Sequence, residues 1–180
     1  MKFSFALLAS LVAATSAATI ARTTASTMRV VMDDMTKIGK QFGKVDASLS
    51  KFPASGVKGA TKIDNQRTKL HELFDQATSD IGSLPKPVSP ADARKIIEAY
   101  QSFTPTAVHS LNAIGAKAAD FMALEPAAPS MKLDLLAAVK PCVVFNQELQ
   151  SIAPPDMVDT LANIVNSIDT ARADASAAFP

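Results

Sequence analysis

Tryptophan is absent from this chain, tyrosine and cysteine occur once each, and glycine appears only six times in 180 residues. Each shortage excludes something. With no tryptophan and its basic residues scattered, the chain has no aromatic platform for stacking nucleobases. A single thiol, Cys142, permits no internal disulfide framework, so stability must come from a packed core. Cys142 stands among apolar residues with only Lys140 as a nearby charge, which is not the electropositive setting of a catalytic thiolate. Gly-x-Ser-x-Gly elbows, glycine-rich phosphate loops and Asn-x-Ser/Thr sequons are all missing. Past the first residues no stretch carries 18 consecutive apolar side chains, so no transmembrane segment is expected in the mature chain.

What is present begins with an export pattern. Lys2 supplies a positive start, Phe3 to Ala14 is a short apolar run, and Thr15-Ser16-Ala17-Ala18 offers the small residues that suit signal peptidase. The expectation is a leader over 1–18 and a single mature domain over 19–180, secreted, either free or associated with a cell wall. Without Lys2 the basic and acidic residues balance at 17 each. A neutral chain has no electrostatic attraction for nucleic acid or anionic membrane.

Proline divides the mature chain. Clusters at Pro53, at Pro85-Lys86-Pro87 with Pro90, at Pro126 with Pro129, and at Pro154-Pro155 separate five segments. Proline lacks the N–H and clashes with the preceding turn, so these clusters mark helix ends. Each segment carries a helical stripe. The first is Met28, Val31, Met35, Ile38, Phe42, Val45, Leu49 and Phe52. The second runs Ala60, Ile63, Arg67, Leu70, Phe74, Ala77, Ile81 and Leu84. The third runs Ala93, Ile97, Tyr100, Thr104, Ala107, Leu111, Ile114, Ala118 and Phe121. The fourth has Leu135, Leu136, Val139, Cys142, Val143, Phe145, Leu149 and Ile152, and the fifth Met157, Leu161, Ile164, Ile168, Ala171, Ala175 and Phe179. Ser89-Pro90-Ala91-Asp92 reads as an N-cap, and Pro154-Pro155-Asp156 as a similar start. The fold class is therefore all-α: an up-and-down bundle of about five long amphipathic helices. Pro105 and Pro141 fall inside periodic stretches. They either kink their helices and leave room for a central apolar cavity or, at Pro105, split the third segment in two.

Chemistry-bearing motifs are few. His71-Glu72-Leu73-Phe74-Asp75 begins like a zinc-protease helix, but Asp75 stands where the second histidine is needed, so no metal site is expected. No catalytic residue and no cofactor are expected either. The apolar faces are the informative feature, because they are rich in methionine and alanine. Methionine adapts to irregular apolar guests. Met32, Met35, Phe42, Phe74, Phe103, Leu111, Phe121 and Phe145 are the candidates to line an apolar tail. Arg67 interrupts the second stripe and Asn146 lies near the fourth. Either could meet the polar head of an amphiphile, while Arg67 could equally snorkel to water.

Val31-Met32-Asp33-Asp34-Met35-Thr36-Lys37-Ile38, Leu111-Asn112-Ala113-Ile114-Gly115-Ala116-Lys117-Ala118-Ala119-Asp120-Phe121 and Leu161-Ala162-Asn163-Ile164-Val165-Asn166-Ser167-Ile168-Asp169 resemble the fungal hydrophobic surface binding protein A family, which includes cell-wall galactomannoprotein antigens. The likeness covers essentially the whole mature chain. It implies a five-helix bundle, secretion or cell-wall residence, and binding of fatty acids or similar single-chain lipids. It equally implies an alternative: adsorption to hydrophobic surfaces with recruitment of secreted hydrolases, or a wall antigen with a protein partner. The chain stops at Ala178-Phe179-Pro180 without a Ser/Thr-rich tail, so free secretion is expected over covalent wall attachment.

Overall fold

The helices begin and end where proline, glycine and serine allow. The computed structural model describes residues 6–124 and 139–179, with side chains from Thr27 onward. Helix α1 spans Ala6–Leu49, α2 Gly56–Gly82 and α3 Pro90–Ala116. A short α4, Ala118–Met122, follows α3 directly. Helix α5 spans Val139–Ile152, and a 3-10 turn at Pro155–Met157 leads into α6, Val158–Ala177. Among the described residues there is no strand. The stripe residues Leu135 and Leu136 and the proline cluster around Pro126 lie outside the described residues.

Local chemistry explains the boundaries. Gly56 adopts φ +56°, a left-handed conformation that side chains disfavour, as the chain turns from Pro53 into α2. Ser89 caps α3: its Oγ accepts from the Asp92 backbone N–H at 3.1 Å, and Pro90 fills the first helical position. Pro154-Pro155-Asp156 starts the turn that leads into α6 as expected, with proline at the first position and Asp156 in the first turn. Asp156 makes no side-chain cap there. It accepts two hydrogen bonds from Arg94 of α3, at 2.8 and 2.9 Å, because the bidentate guanidinium is a stronger donor than a lone backbone N–H. Pro105 does not split the third segment, since α3 runs through it.

Packing follows the stripes. All eight residues of the first stripe are buried, and so is every member of the second and third, Arg67 and Thr104 included. The fifth is buried from Leu161 to Phe179, with Met157 at its margin. Each fully buried aliphatic or phenyl group contributes roughly 1.5–3 kcal/mol relative to exposure. The fourth stripe needs correction. Phe145 and Leu149 are buried, but Val139 and Val143 stand about 40% exposed. The run Val143-Val144-Phe145 carries no polar residue to mark a face, and the helix turns Cys142, Phe145, Asn146 and Leu149 inward instead.

The helices are neighbours in the order α5, α2, α1, α3, α6. Helix α1 is flanked by α2 and α3, α2 carries α5, and α3 carries α6. Helices α3 and α6 approach closely at Gly115, where a Cβ would lie 3.1 Å from the Ala175 Cα. The ends of this order, α5 and α6, meet only sparsely along one seam. Among the described residues no helix is long and apolar enough to cross a membrane.

Candidate functional site

Aromatic side chains from four helices close a circuit in the middle of the bundle. Phe42 of α1 meets Phe74 of α2 at 6.3 Å between ring centroids. Phe74 meets Phe145 of α5 edge-on at 5.0 Å. Phe145 meets Tyr100 of α3 edge-on at 5.2 Å. Tyr100 touches Phe103 at 5.4 Å, and Phe103 stacks back on Phe42 at 5.8 Å. These separations lie in the favourable range for aromatic pairs, and each ring has two aromatic neighbours. All five residues are buried.

Four of the tail-lining candidates, Phe42, Phe74, Phe103 and Phe145, therefore come together. Phe121 does not join them. It stacks on Phe52 at 4.2 Å and touches Phe179 at 6.2 Å, in a separate cluster. That cluster is tied down by Lys117, whose Nζ donates to the Phe52 carbonyl at 2.6 Å. Leu111 sits two turns along α3 from Phe103, about 12 Å away by helical rise. Met35 is buried within the core, and Met32 is only half-buried at its edge.

Polar groups border the aromatic circuit on one side. Asn146 follows Phe145 and is buried, and its Oδ1 accepts from the Tyr100 hydroxyl at 3.2 Å. That leaves the amide nitrogen as the donor side of Asn146. Arg67 is 5% exposed, so it does not snorkel from its stripe. Arg172 of α6 is also buried, at 8% exposed. Its Nη2 donates to Asp169 Oδ1, while its Nη1 is buried without a hydrogen-bond partner. Cys142 of α5 lies against the same guanidinium. Burial raises the Cys142 thiol above its ordinary range, Arg172 draws it back down, and Asp169 adds to the rise. Burial likewise pushes the Tyr100 hydroxyl far above its usual range, so it is a neutral donor at any physiological pH. Tyr100, Cys142, Asn146 and Arg172 thus bring α3, α5 and α6 together at the α5–α6 seam.

Arg172 is missing from the candidates that the sequence supplies. Its signal is positional: Arg172 stands four residues after Ile168 and three before Ala175, on the same helical face as the fifth stripe. Tyr100 lies on its stripe as expected, but nothing in the sequence marks it as the joint between the rings and the polar groups.

The space beside Pro105 is a surface groove. It measures about 270 Å³ between α3 and α6 and is lined by Gln101, Thr104, Pro105, Thr160, Asn163 and Ser167, with Ile164 at its floor. Proline at 105 offers no N–H to the Gln101 carbonyl, which keeps this wall polar. A second groove of about 450 Å³ continues along the same pair of helices, past Val108 and Asn112.

The described residues thus form an all-α bundle with an aromatic centre and a buried guanidinium, that of Arg172, near one seam. The chain belongs to the hydrophobic surface binding protein A family, whose sequence profile matches residues 28–138. Among solved structures it is similar to Afmp4p in complex with palmitic acid, at 25% identity and a TM-score of 0.72 over 85% of this chain and 99% of that one. Ligand binding domain 1 of the Penicillium marneffei MP1 protein, complexed with arachidonic acids, has the same fold at 13% identity and a TM-score of 0.74, over 87% and 99% of the two chains. Domain 2 of that protein, also with arachidonic acids, matches at 12% identity and a TM-score of 0.68 over 86% and 94%. No curated protein sequence matches the chain significantly.

Proposed function

We propose that this protein binds a fatty acid or similar single-chain lipid between its helices, outside the cell, without catalysing a reaction. The observation that carries the reading is the closed aromatic circuit with the buried guanidinium groups of Arg67 and Arg172 in the same bundle. An amphiphile needs both, an apolar channel for the tail and a donor for the head. The palmitic acid held by Afmp4p and the arachidonic acids held by the MP1 domains support it. The tail lies along Met35, Phe42, Phe74, Phe103 and Phe145, each buried methylene contributing roughly 0.8 kcal/mol. Met32, Leu111 and Phe121 extend the lining toward the ends, and Arg67 and Asn146 face the head group. These rings are in mutual contact, so a tail enters by displacing them.

Native mass spectrometry of protein from a eukaryotic secretion host tests this. A discrete added mass in the fatty-acid range, removed by organic extraction, is the expected result. A bare mass that stays unchanged after incubation with mixed fatty acids refutes it. Phe74→Glu, checked for folding by circular dichroism, should abolish binding of a fluorescent fatty acid. The same preparation tests export: the mature N-terminus should fall after residue 17 or 18, or later after Ala21, and a retained Met1 would exclude a cleaved leader.

A second reading is adsorption to a hydrophobic solid. Val139, Val143 and Val144 form an exposed apolar patch on α5, each about 40% exposed. Adsorption to polystyrene beads that strengthens with sulfate, and weakens in Val143→Glu, is its expected signature.

A further inference from the structure

Among the described buried polar atoms that lack a partner, Arg172 Nη1 is the one that carries positive charge; the others are Asp34 Oδ2, Gln66 Oε1 and Ser110 Oγ. A buried cationic donor with no acceptor is costly, and its natural partner is an anion. Its position gives that anion a shape. Arg172 lies at the α5–α6 seam, where those two helices meet only sparsely. Asp169 occupies its Nη2, which leaves Nη1 as the buried donor arm without a hydrogen-bond partner. Arg67 is near enough to act on the same Cys142 thiol, adding a second positive charge. Tyr100 stands beside Arg172 and puts its ring on Phe145 at 5.2 Å. An ion held on Arg172 is thus close to Tyr100, itself a member of the aromatic circuit.

We infer that Arg172 is the head-group anchor of the site, and that it selects single-chain lipids ending in an ionised carboxylate over neutral esters and alcohols of the same length. The inference rests on the lipid-binding reading. The carboxylate accepts from Arg172 Nη1 at the seam, and the tail passes Tyr100 toward Phe145 and Phe74. A charge-assisted bond at a buried site corresponds to a preference of about ten- to a hundredfold. Arg172 is a specificity residue in this scheme. The tail binds through the rings whether or not the head is ionised.

Displacement of cis-parinaric acid by palmitate, methyl palmitate and 1-hexadecanol reads this preference directly. Wild-type protein should release the probe at a palmitate concentration at least tenfold below that of either neutral lipid. Arg172→Met should bring the three within about threefold of each other by weakening palmitate alone. Arg172→Lys keeps the charge but not the paired donor arms, and should fall between. Equal potency of acid and ester on the wild type overturns the inference with no variant needed, and so does full retention of the preference in a folded Arg172→Met. If Arg172→Met does not fold, the lysine variant decides, and an unchanged ratio there refutes the anchor. A wild-type protein that binds neither the probe nor any of the three lipids overturns the lipid reading itself, a result distinct from binding without preference.

Discussion

Phe145→Ala is the perturbation with the clearest magnitude. The ring is fully buried and makes edge-to-face contacts with Phe74 at 5.0 Å and Tyr100 at 5.2 Å. It therefore joins α5 to both α2 and α3. Truncating a buried phenylalanine costs about 3–5 kcal/mol from lost transfer energy and the cavity left behind. That range already includes lost contacts, and two aromatic pairs worth roughly 0.5–1.5 kcal/mol each place this ring in its upper half, at about 4–5 kcal/mol. For a domain of this size each kcal/mol moves Tm by about 2–4 °C, so the melting point should fall by roughly 8–20 °C. Urea denaturation followed by circular dichroism measures the free energy. Phe145→Leu, which keeps most of the volume and apolar character, should cost well under half as much. A double-mutant cycle with Phe74→Ala should return a coupling of about 0.5–1.5 kcal/mol. A loss below about 1.5 kcal/mol for Phe145→Ala, or zero coupling, would show that α5 is not anchored through this ring.

Three further outcomes follow from the helices themselves. Ser89→Ala removes the α3 cap bond to Asp92 and should cost about 1 kcal/mol in a urea melt, while an unchanged midpoint would contradict the cap. Pro105→Ala restores the missing N–H inside α3 and should stabilise the protein by about 1–3 kcal/mol; destabilisation would mean that the proline geometry is needed for packing on α6. Asp34 is buried, which raises its carboxyl above the ordinary range, with Lys37 opposing the rise and Asp80 adding to it. The folded state then holds this proton more tightly than the unfolded chain, so its contribution is present at low pH and is lost as pH rises through the elevated value. Asp34→Asn should be more stable than wild type at neutral pH and lose its advantage in acid; an advantage that grows on acidification would reverse the assigned direction.

The all-α fold was legible because every apolar stripe except one was punctuated by charge. From Met28 to Phe52 eight apolar residues recur without a gap at three- and four-residue steps, so the period held the face even across Val30-Val31-Met32, and that face turned inward. On α5 the periodicity failed. Three adjacent apolar residues, Val143, Val144 and Phe145, fit several rotations equally well, and packing on α2 chose Phe145. That rings on the stripes meet was readable, because bulky side chains on inward faces must gather near an axis. Which rings meet was not readable. Phe121 and Phe103 occupy the same segment of sequence, yet 18 residues of helix place them in different clusters. Arginine was hardest. A charged residue on a stripe is usually solvated along its edge, and only tertiary packing from α3 and α5 puts Arg172 out of water.

The polar groups and the sparse packing occur at the same place, and one is a reason for the other. Along α1, apolar side chains interlock on both flanks, and separating α1 from α2 or α3 would expose Val31, Ile38 and Val45 together. At the α5–α6 seam Cys142 lies against Arg172 with Asp169 beside it, and the two charged groups are strongly hydrogen-bonding. Hydrating those groups returns much of what their burial cost, whereas hydrating valine and isoleucine returns nothing. The seam therefore combines sparse packing with groups that water can satisfy, and Tyr100 and Phe145 of the aromatic circuit lie beside it.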